Sequence, residues 1–266
     1  MKKSFKDDFN LSVIAESGQC FRFNQTGENT FQVIAHEKVL TIKDMGKSTF
    51  DFDCSSDDYN KIWHKYFDMD TNYSAIRESV KDNKFLCDCA AHSVGMRILN
   101  QDKWEMVVSF IISQRKSIPA IKTSIERLCR ACGTLIKNDI YAFPTPVQIL
   151  FAPSEKLAEC GLGYRLPYIL KAAEVFNSEP DILKRLDTLT DEELLEELKT
   201  MQGVGDKVAS CIALFGFHRL NFFPNDVWMN RALAEHFPNG FDLNRYEPYN
   251  GVIQQYIFYA YRNSHK

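Results

Sequence analysis

The periodicity of side chains changes once, near Ser56, and that change limits the fold more than any other feature of the chain. Before it, Phe21-Arg22-Phe23, Thr30-Phe31-Gln32-Val33-Ile34-Ala35, Val39-Leu40-Thr41-Ile42 and Thr49-Phe50-Asp51-Phe52 are short runs rich in aromatic and β-branched residues, the composition of strands. Gly27-Glu28-Asn29 and His36-Glu37-Lys38 punctuate them as turns. An antiparallel meander is expected. After it, Ile62, Trp63, Tyr66 and Phe67 recur at helical spacing. The apolar run 104–113 is long enough to favour a buried helix over a buried strand. Leu189-Thr190-Asp191-Glu192-Glu193 supplies an N-cap and early acids for another helix. Strands first and helices to the end predict an α+β chain. Its small N-terminal antiparallel sheet domain is expected over residues 1–98 and a larger, mostly α-helical domain over 99–266.

A formal net charge of −3 excludes a global basic field, so any nucleic-acid surface must be local. Of eight cysteines, only Cys129 and Cys132 form a C-x-x-C, and no second pair follows at zinc spacing. Both also suit one helix, so structural thiols in a reducing compartment are expected and no metal. The start Met1-Lys2-Lys3-Ser4-Phe5 leads into Lys6-Asp7-Asp8 rather than an apolar signal region. No stretch reaches the roughly 20 apolar residues of a membrane span. A cytoplasmic chain without a membrane partner is expected.

The chemistry concentrates around Met201-Gln202-Gly203-Val204-Gly205-Asp206-Lys207. Leu198 and Met201 end one apolar helix face, and Val208, Ala209, Ile212 and Ala213 begin another. Gly203 and Gly205 allow positive φ and close backbone approach between them. Such a turn leaves N–H groups unpaired at a helix start, where phosphate binds without side-chain charge. Lys207 falls in the first turn, at the positive end of the helix dipole, which disfavours the ammonium form. A neutral amine is a nucleophile. Asp226 lies nineteen positions later, in Phe223-Pro224-Asn225-Asp226-Val227, and suits an N-cap that fixes its carboxylate. Each feature also has a plain reading: a ligand-free helix–helix turn, a solvated lysine and a capping aspartate.

Together, Gly203-Val204-Gly205-Asp206-Lys207-Val208-Ala209-Ser210-Cys211 and Pro224-Asn225-Asp226-Val227 resemble the helix–hairpin–helix glycosylase superfamily with its Gly/Pro-rich loop and Asp. The likeness is closest to the 8-oxoguanine DNA glycosylases and extends over most of the chain. Ser17-Gly18-Gln19-Cys20-Phe21-Arg22-Phe23 resembles that family's N-terminal segment, and Cys160-Gly161-Leu162-Gly163-Tyr164-Arg165 its DNA-wedge loop. Ser109-Phe110-Ile111-Ile112-Ser113 resembles the helix before the strand-inserting loop, and Gly251-Val252-Ile253-Gln254-Gln255-Tyr256-Ile257-Phe258 the helix lining the base pocket.

The resemblance implies a TBP-like sheet domain followed by a helix–hairpin–helix glycosylase domain. It implies a monomer acting on double-stranded DNA that contains 8-oxoguanine, with the nucleotide flipped out of the stack. Lys207 would attack C1′ and form a Schiff base, Asp226 would stabilise the cationic sugar, and β-elimination would follow. The Gly18 carbonyl would accept the N7–H that only the oxidised purine carries. Cys211 and Phe258 would sandwich the base, and Gln254 would read its Watson–Crick edge. Gly203, Val204, Gly205, Arg115, Lys116, Tyr164 and Trp228 would contact DNA, Tyr164 as a wedge. Departures from eukaryotic members point to the bacterial branch. Gln114-Arg115-Lys116-Ser117 and Ala120 replace an Asn-rich loop and a cytosine-checking Arg, Trp228 replaces a phosphate-binding His, and Tyr261 replaces an acid. No four-Cys pattern follows Asp226, so no iron–sulphur cluster is expected and no other cofactor. Two rival readings are a monofunctional alkylpurine-type glycosylase, which lacks the lysine, and a non-catalytic helix–hairpin–helix DNA-binding protein.

Overall fold

The structure, a computed structural model, describes residues 1–264. It groups into two compact units. One holds Met1–Gln32, Leu40–Asn100 and the described residues from His218 onward; the other holds Val33–Val39 and Gln101–Phe217.

The five-stranded antiparallel sheet runs β1 (Lys2–Ser4), β5 (Thr49–Phe52), β4 (Lys38–Asp44), β3 (Thr30–Ala35), β2 (Phe23–Gly27) in spatial order. Residues 2–52 thus form the expected meander, with an unexpected edge strand β1. Lys3 stands opposite Phe50, and Lys43 opposite Asp51. Alternation puts Leu40 and Ile42 of β4 and Phe50 and Phe52 of β5 on the buried face. Phe5 stacks on Phe50 with centroids 5.7 Å apart, and Phe9 meets Phe67 edge-on at 5.2 Å. Two other details depart from the sequence pattern. Phe21 and Arg22 precede the strand, which begins at Phe23, and a helix occupies Leu11–Glu16. Asn10 caps that helix, its side-chain oxygen accepting from Ser12 and Val13 N–H.

In the same unit, Arg97 is 1% exposed. Its guanidinium donates to the Asp8 carbonyl (2.9 Å), the Asp68 carbonyl (2.7 Å) and the Asp7 carboxylate (3.1 Å). The Tyr73 hydroxyl donates to Asp68 (2.7 Å) and accepts from Ile98 N–H (2.8 Å). A buried charge is tolerated here because every face of it meets an acceptor. The helix Asn250–Ser264 packs against Lys84–His92 and closes this unit.

The other unit is built on Lys103–Ser113, whose residues 104–112 are all buried, as its apolar run requires. Ile118–Cys132 and Asp206–Phe215 pack against it. Cys129 and Cys132 both lie on Ile118–Cys132, and all eight cysteines are free thiols. Thr190 and Glu193 form a reciprocal capping box at the start of Asp191–Lys199. The expectation of helix to the end fails at Leu135–Lys137 and Ile140–Tyr141, which pair as a small antiparallel ribbon. Asn138 and Asp139 both take left-handed conformations, φ 43° and 64°, the two-residue turn that joins twisted strands. Among the described residues, no helix is long and apolar enough to cross a membrane.

The Asp7 carboxyl yields a pH prediction. Burial pushes its pKa up, but hydrogen bonds from the Asp8, Tyr73 and Ser74 N–H groups and the charge of Arg97 outweigh this and hold it below the usual carboxylate value. Its stabilising contribution is therefore present above the unfolded value and lost as pH falls through the folded one. Asp7→Asn is expected to destabilise the protein at neutral pH and to flatten the acid limb of a urea-unfolding series below about pH 4.

Candidate active site

Eight of the residues singled out by sequence lie in the unit containing 101–217, and three loops there form one constellation. The first is the turn between helices. Gly203 has φ 81°, and a Cβ on it would sit 2.2 Å from Tyr168 Cδ2, so both its conformation and its space require glycine. Gly205 differs from expectation. Its φ is −102° and a Cβ there would meet nothing within 4 Å, so positive φ is needed only at Gly203. Gly205 is the N-cap of Asp206–Phe215 and supplies no side-chain cap. The first-turn N–H groups of that helix are therefore left without a protein side-chain partner. The Val204 N–H, in contrast, is spent on the Met201 carbonyl (3.0 Å), and the Val204 side chain is buried.

Lys207 occupies the first turn of that helix, half-buried, with Nζ 5.7 Å from the Phe110 ring centroid. Phe110 stacks in turn on Phe215 at 5.4 Å. Asp206, the adjacent carboxylate, is turned to Lys199 (3.1 Å). The amine of Lys207 forms no ion pair among the described residues. Cys211, one turn further, is buried.

The second loop is a tight turn after Lys103–Ser113. Lys116 N–H donates to the Ser113 carbonyl (3.2 Å), Gln114 has φ −57° and ψ 123°, and Arg115 has φ 51°. This is a type II turn with arginine where glycine is usual, a strained backbone of the kind found at functional sites. The Arg115 side chain is exposed. Lys116 does not reach outward as expected. Its Nζ donates to Ser124 Oγ and to the Gly161 carbonyl (2.6 Å). Burial, with repulsion from Arg165 and Arg127, pushes its pKa down.

The third loop, Gly161–Arg165, carries Tyr164 at 49% exposure, above the guanidinium of Arg165 at 4.4 Å. Sequence reasoning missed what joins the three. Gln114 Nε2 donates to the Ile111 carbonyl (3.1 Å) and across to the Gly203 carbonyl (3.0 Å). The Gln114 carbonyl accepts from Arg165 Nε (3.0 Å). Tyr168, packed under Gly203, lies 6.2 Å from Tyr164. The only prior signal for these links is that Gln114 and Arg165 flank exposed loop positions, which fixes no partner.

The other five residues lie in the unit containing 218–264. Asp226 is the N-cap of Val227–His236, its Oδ1 accepting from Met229 N–H (2.9 Å), so the carboxylate is held by the helix it starts. Trp228 is half-buried, 6.4 Å from the Tyr261 ring and 5.6 Å from the Arg231 guanidinium. Gln254 is buried, and its amide is engaged: Nε2 donates to the Pro224 carbonyl (3.0 Å), and Oε1 accepts from Gln255 Nε2 (2.9 Å). Phe258 is half-buried beside Arg262, at 5.1 Å. Gly18 is left-handed, φ 84°, between buried Ser17 and Gln19.

A small antiparallel sheet, a helical unit with a glycine hairpin ending in lysine, and a capping aspartate after Pro224 define a base-excision glycosylase architecture. The chain belongs to the HhH-GPD superfamily of base excision DNA repair proteins, whose family model matches residues 108–242, and residues 3–107 match the 8-oxoguanine DNA glycosylase N-terminal domain. A probable N-glycosylase/DNA lyase of Methanothermobacter thermautotrophicus is 30% identical over 236 residues, covering 76% of this chain and 73% of that protein. The solved structure of MBOgg1 in complex with a low-affinity DNA ligand matches with a TM-score of 0.93 and 34% identity, over 100% of this chain and 96% of that one. That of Clostridium acetobutylicum 8-oxoguanine glycosylase/lyase, with double-stranded DNA containing cytosine opposite 8-oxoguanine, matches with a TM-score of 0.90 and 28% identity, over 100% and 99%.

The two glycines of the hairpin should separate in a stability assay. Gly203→Ala is expected to cost roughly 2–4 kcal/mol in urea unfolding, from left-handed strain and overpacking on Tyr168. Gly205→Ala should stay within about 0.5 kcal/mol of the parent protein.

Proposed function

We propose that the protein is a bifunctional DNA glycosylase/AP lyase that removes 8-oxoguanine from duplex DNA. The observation that carries this reading is Lys207. Its amine ends a backbone turn suited to phosphate, lies half-buried over an aromatic ring, and has no carboxylate partner among the described residues, Asp206 facing Lys199 instead. A lysine kept for solubility gains nothing from that placement, whereas a nucleophile does. The DNA-bound relatives, one an 8-oxoguanine glycosylase/lyase, favour the same substrate.

In the proposed sequence the hairpin holds the backbone of the strand through the first-turn N–H groups, and the damaged nucleotide is everted. Lys207 Nζ attacks C1′ through its lone pair. The C1′–N9 bond breaks, its electron pair leaves with the base, and the base takes up a proton. Nζ then loses a proton to water, and its lone pair forms the C1′=N bond as the C1′–O4′ bond breaks and O4′ takes up a proton. Loss of a C2′ proton to water forms the C2′=C3′ bond as the C3′–O3′ bond breaks and the 3′ phosphate leaves. Asp226, fixed as an N-cap, stabilises the positive charge that builds on the sugar. Gly18, Cys211, Gln254 and Phe258 are the residues proposed to recognise the base. Arg115, Tyr164 and Trp228 face DNA together with Gly203, Val204 and Gly205. Lys116 supports the wedge loop from behind. The protein works as a monomer in the cytoplasm, in contact with the nucleoid if bacterial, without metal or other cofactor.

The readings divide cleanly by experiment. Borohydride trapping on an 8-oxoguanine duplex should yield a covalent adduct with the intact protein and none with Lys207→Gln. Asp226→Asn should slow base release by about 100-fold or more. Base release without an adduct would favour the monofunctional glycosylase, and unchanged behaviour of both variants would favour a non-catalytic DNA-binding protein.

A further inference from the structure

The backbone carbonyl of Gly18 accepts no hydrogen bond among the described residues, although its neighbours are tied on every side. The Ser17 hydroxyl donates to the Ile14 carbonyl (2.7 Å) and accepts from Gln19 N–H (3.4 Å). The Gln19 carboxamide spans to another segment, Nε2 donating to the Arg97 carbonyl (2.9 Å) and Oε1 accepting from Leu99 N–H (2.8 Å). Ser17 and Gln19 are both 0% exposed, while Gly18 between them is half-buried. On the preceding side, Arg262 Nη2 donates to the Glu16 carbonyl. The same guanidinium lies 5.1 Å from the Phe258 ring. Its Nε and Nη1 are buried without a hydrogen-bond partner among the described residues, a cost that a side chain serving only solubility would avoid by turning to water.

A glycine at φ 84° has no side chain to hold it, and its peptide units turn at little cost. That matters if its carbonyl reads a base. Guanine presents a lone pair at N7, whereas 8-oxoguanine presents a hydrogen there. A carbonyl fixed in place rewards the second and repels the first, and one free to rotate away would lose that contrast. We propose that Gln19 and Arg262 are positioning residues for damaged-base recognition, holding the Gly18 carbonyl rigid from both sides and, through Arg262, in register with the ring of Phe258. This rests on the glycosylase reading given above. Neither side chain touches the substrate. Each acts through Gly18.

Two substrates separate this role from general support of the fold. An abasic-site duplex is nicked by the same lysine but carries no base to read. With the full chain under single-turnover conditions, Gln19→Ala and Arg262→Met should each slow 8-oxoguanine release about tenfold or more. Nicking of the abasic duplex should stay within about twofold of the parent protein. Gln19→Glu keeps the acceptor for Leu99 N–H but loses the donor to Arg97, and should fall between parent and alanine variant. Thermal unfolding reports whether each variant is folded. If Gln19→Ala is not, Arg262→Met, which removes a surplus of unpaired donors, carries the test. Equal loss on both substrates in folded variants, or loss on neither, overturns the proposal alone. Parent protein that nicks abasic DNA but never releases 8-oxoguanine overturns the glycosylase reading and this inference with it.

Discussion

The carboxamide of Gln114 is the contact on which the helical unit's loops depend. One Nε2 group serves two carbonyls, Ile111 in its own helix end and Gly203 in the hairpin. The backbone oxygen of the same residue receives Arg165. Three loops that share no secondary structure are thereby tied to one residue. A net gain of about 1 kcal/mol per hydrogen bond is modest, but leaving any of these partly buried groups unpaired would cost more. The strained arginine at position 115 persists because its neighbour is so firmly held.

The two units solve the same problem by different means. The helical unit positions its lysine through backbone conformation: one left-handed glycine, one uncapped helix start, and a tyrosine ring that fills the space below. The unit containing the sheet positions its groups through buried polar side chains. Arg97, Tyr73 and Asp68 cross-link its segments, Gln254 grips the Pro224 carbonyl just before Asp226, and Gln19 grips the segment 97–99. Backbone devices tolerate surface change, while buried polar networks are all-or-none in their satisfaction.

How much of this could be read in the sequence follows from the range of the forces involved. The 103–113 helix, the Thr190 capping box and the helix–turn–helix before Lys207 depend on neighbours within a few residues, and the pattern gave them away. The Asn138-Asp139 turn is equally local, but strands of three and two residues offer no period to detect. Strand β1 was hidden for a deeper reason: Lys2–Ser4 becomes a strand only by pairing with Thr49–Asp51. Gly205 was misjudged because glycine spacing does not tell which of two residues carries positive φ. The bond from Lys116 to the Gly161 carbonyl spans forty-five positions, a range at which no local pattern names the partner. The links made by Gln114, Gln19 and Arg262 join residues far apart in the chain, and no periodicity encodes them. Lys207 and Asp226 stand in a motif that the sequence displays, the one in the first turn of its helix and the other as the cap of its own.

The grouping of segments carries a consequence for biosynthesis. Apart from the short piece 33–39, the helical unit is drawn from one uninterrupted stretch, so most of it is available once residue 217 has been made. Its companion is assembled from the opening hundred residues and a portion beginning at His218, and Lys84–His92 cannot be covered by Asn250–Ser264 until that later portion has been made. At a ribosomal pace of roughly 5–20 residues per second, the early segments wait on the order of ten seconds for that closure. During the delay the apolar face of Lys84–His92, with Leu86, Cys89 and Ala90, lacks its cover, and shielding of the nascent chain by chaperones is most needed then.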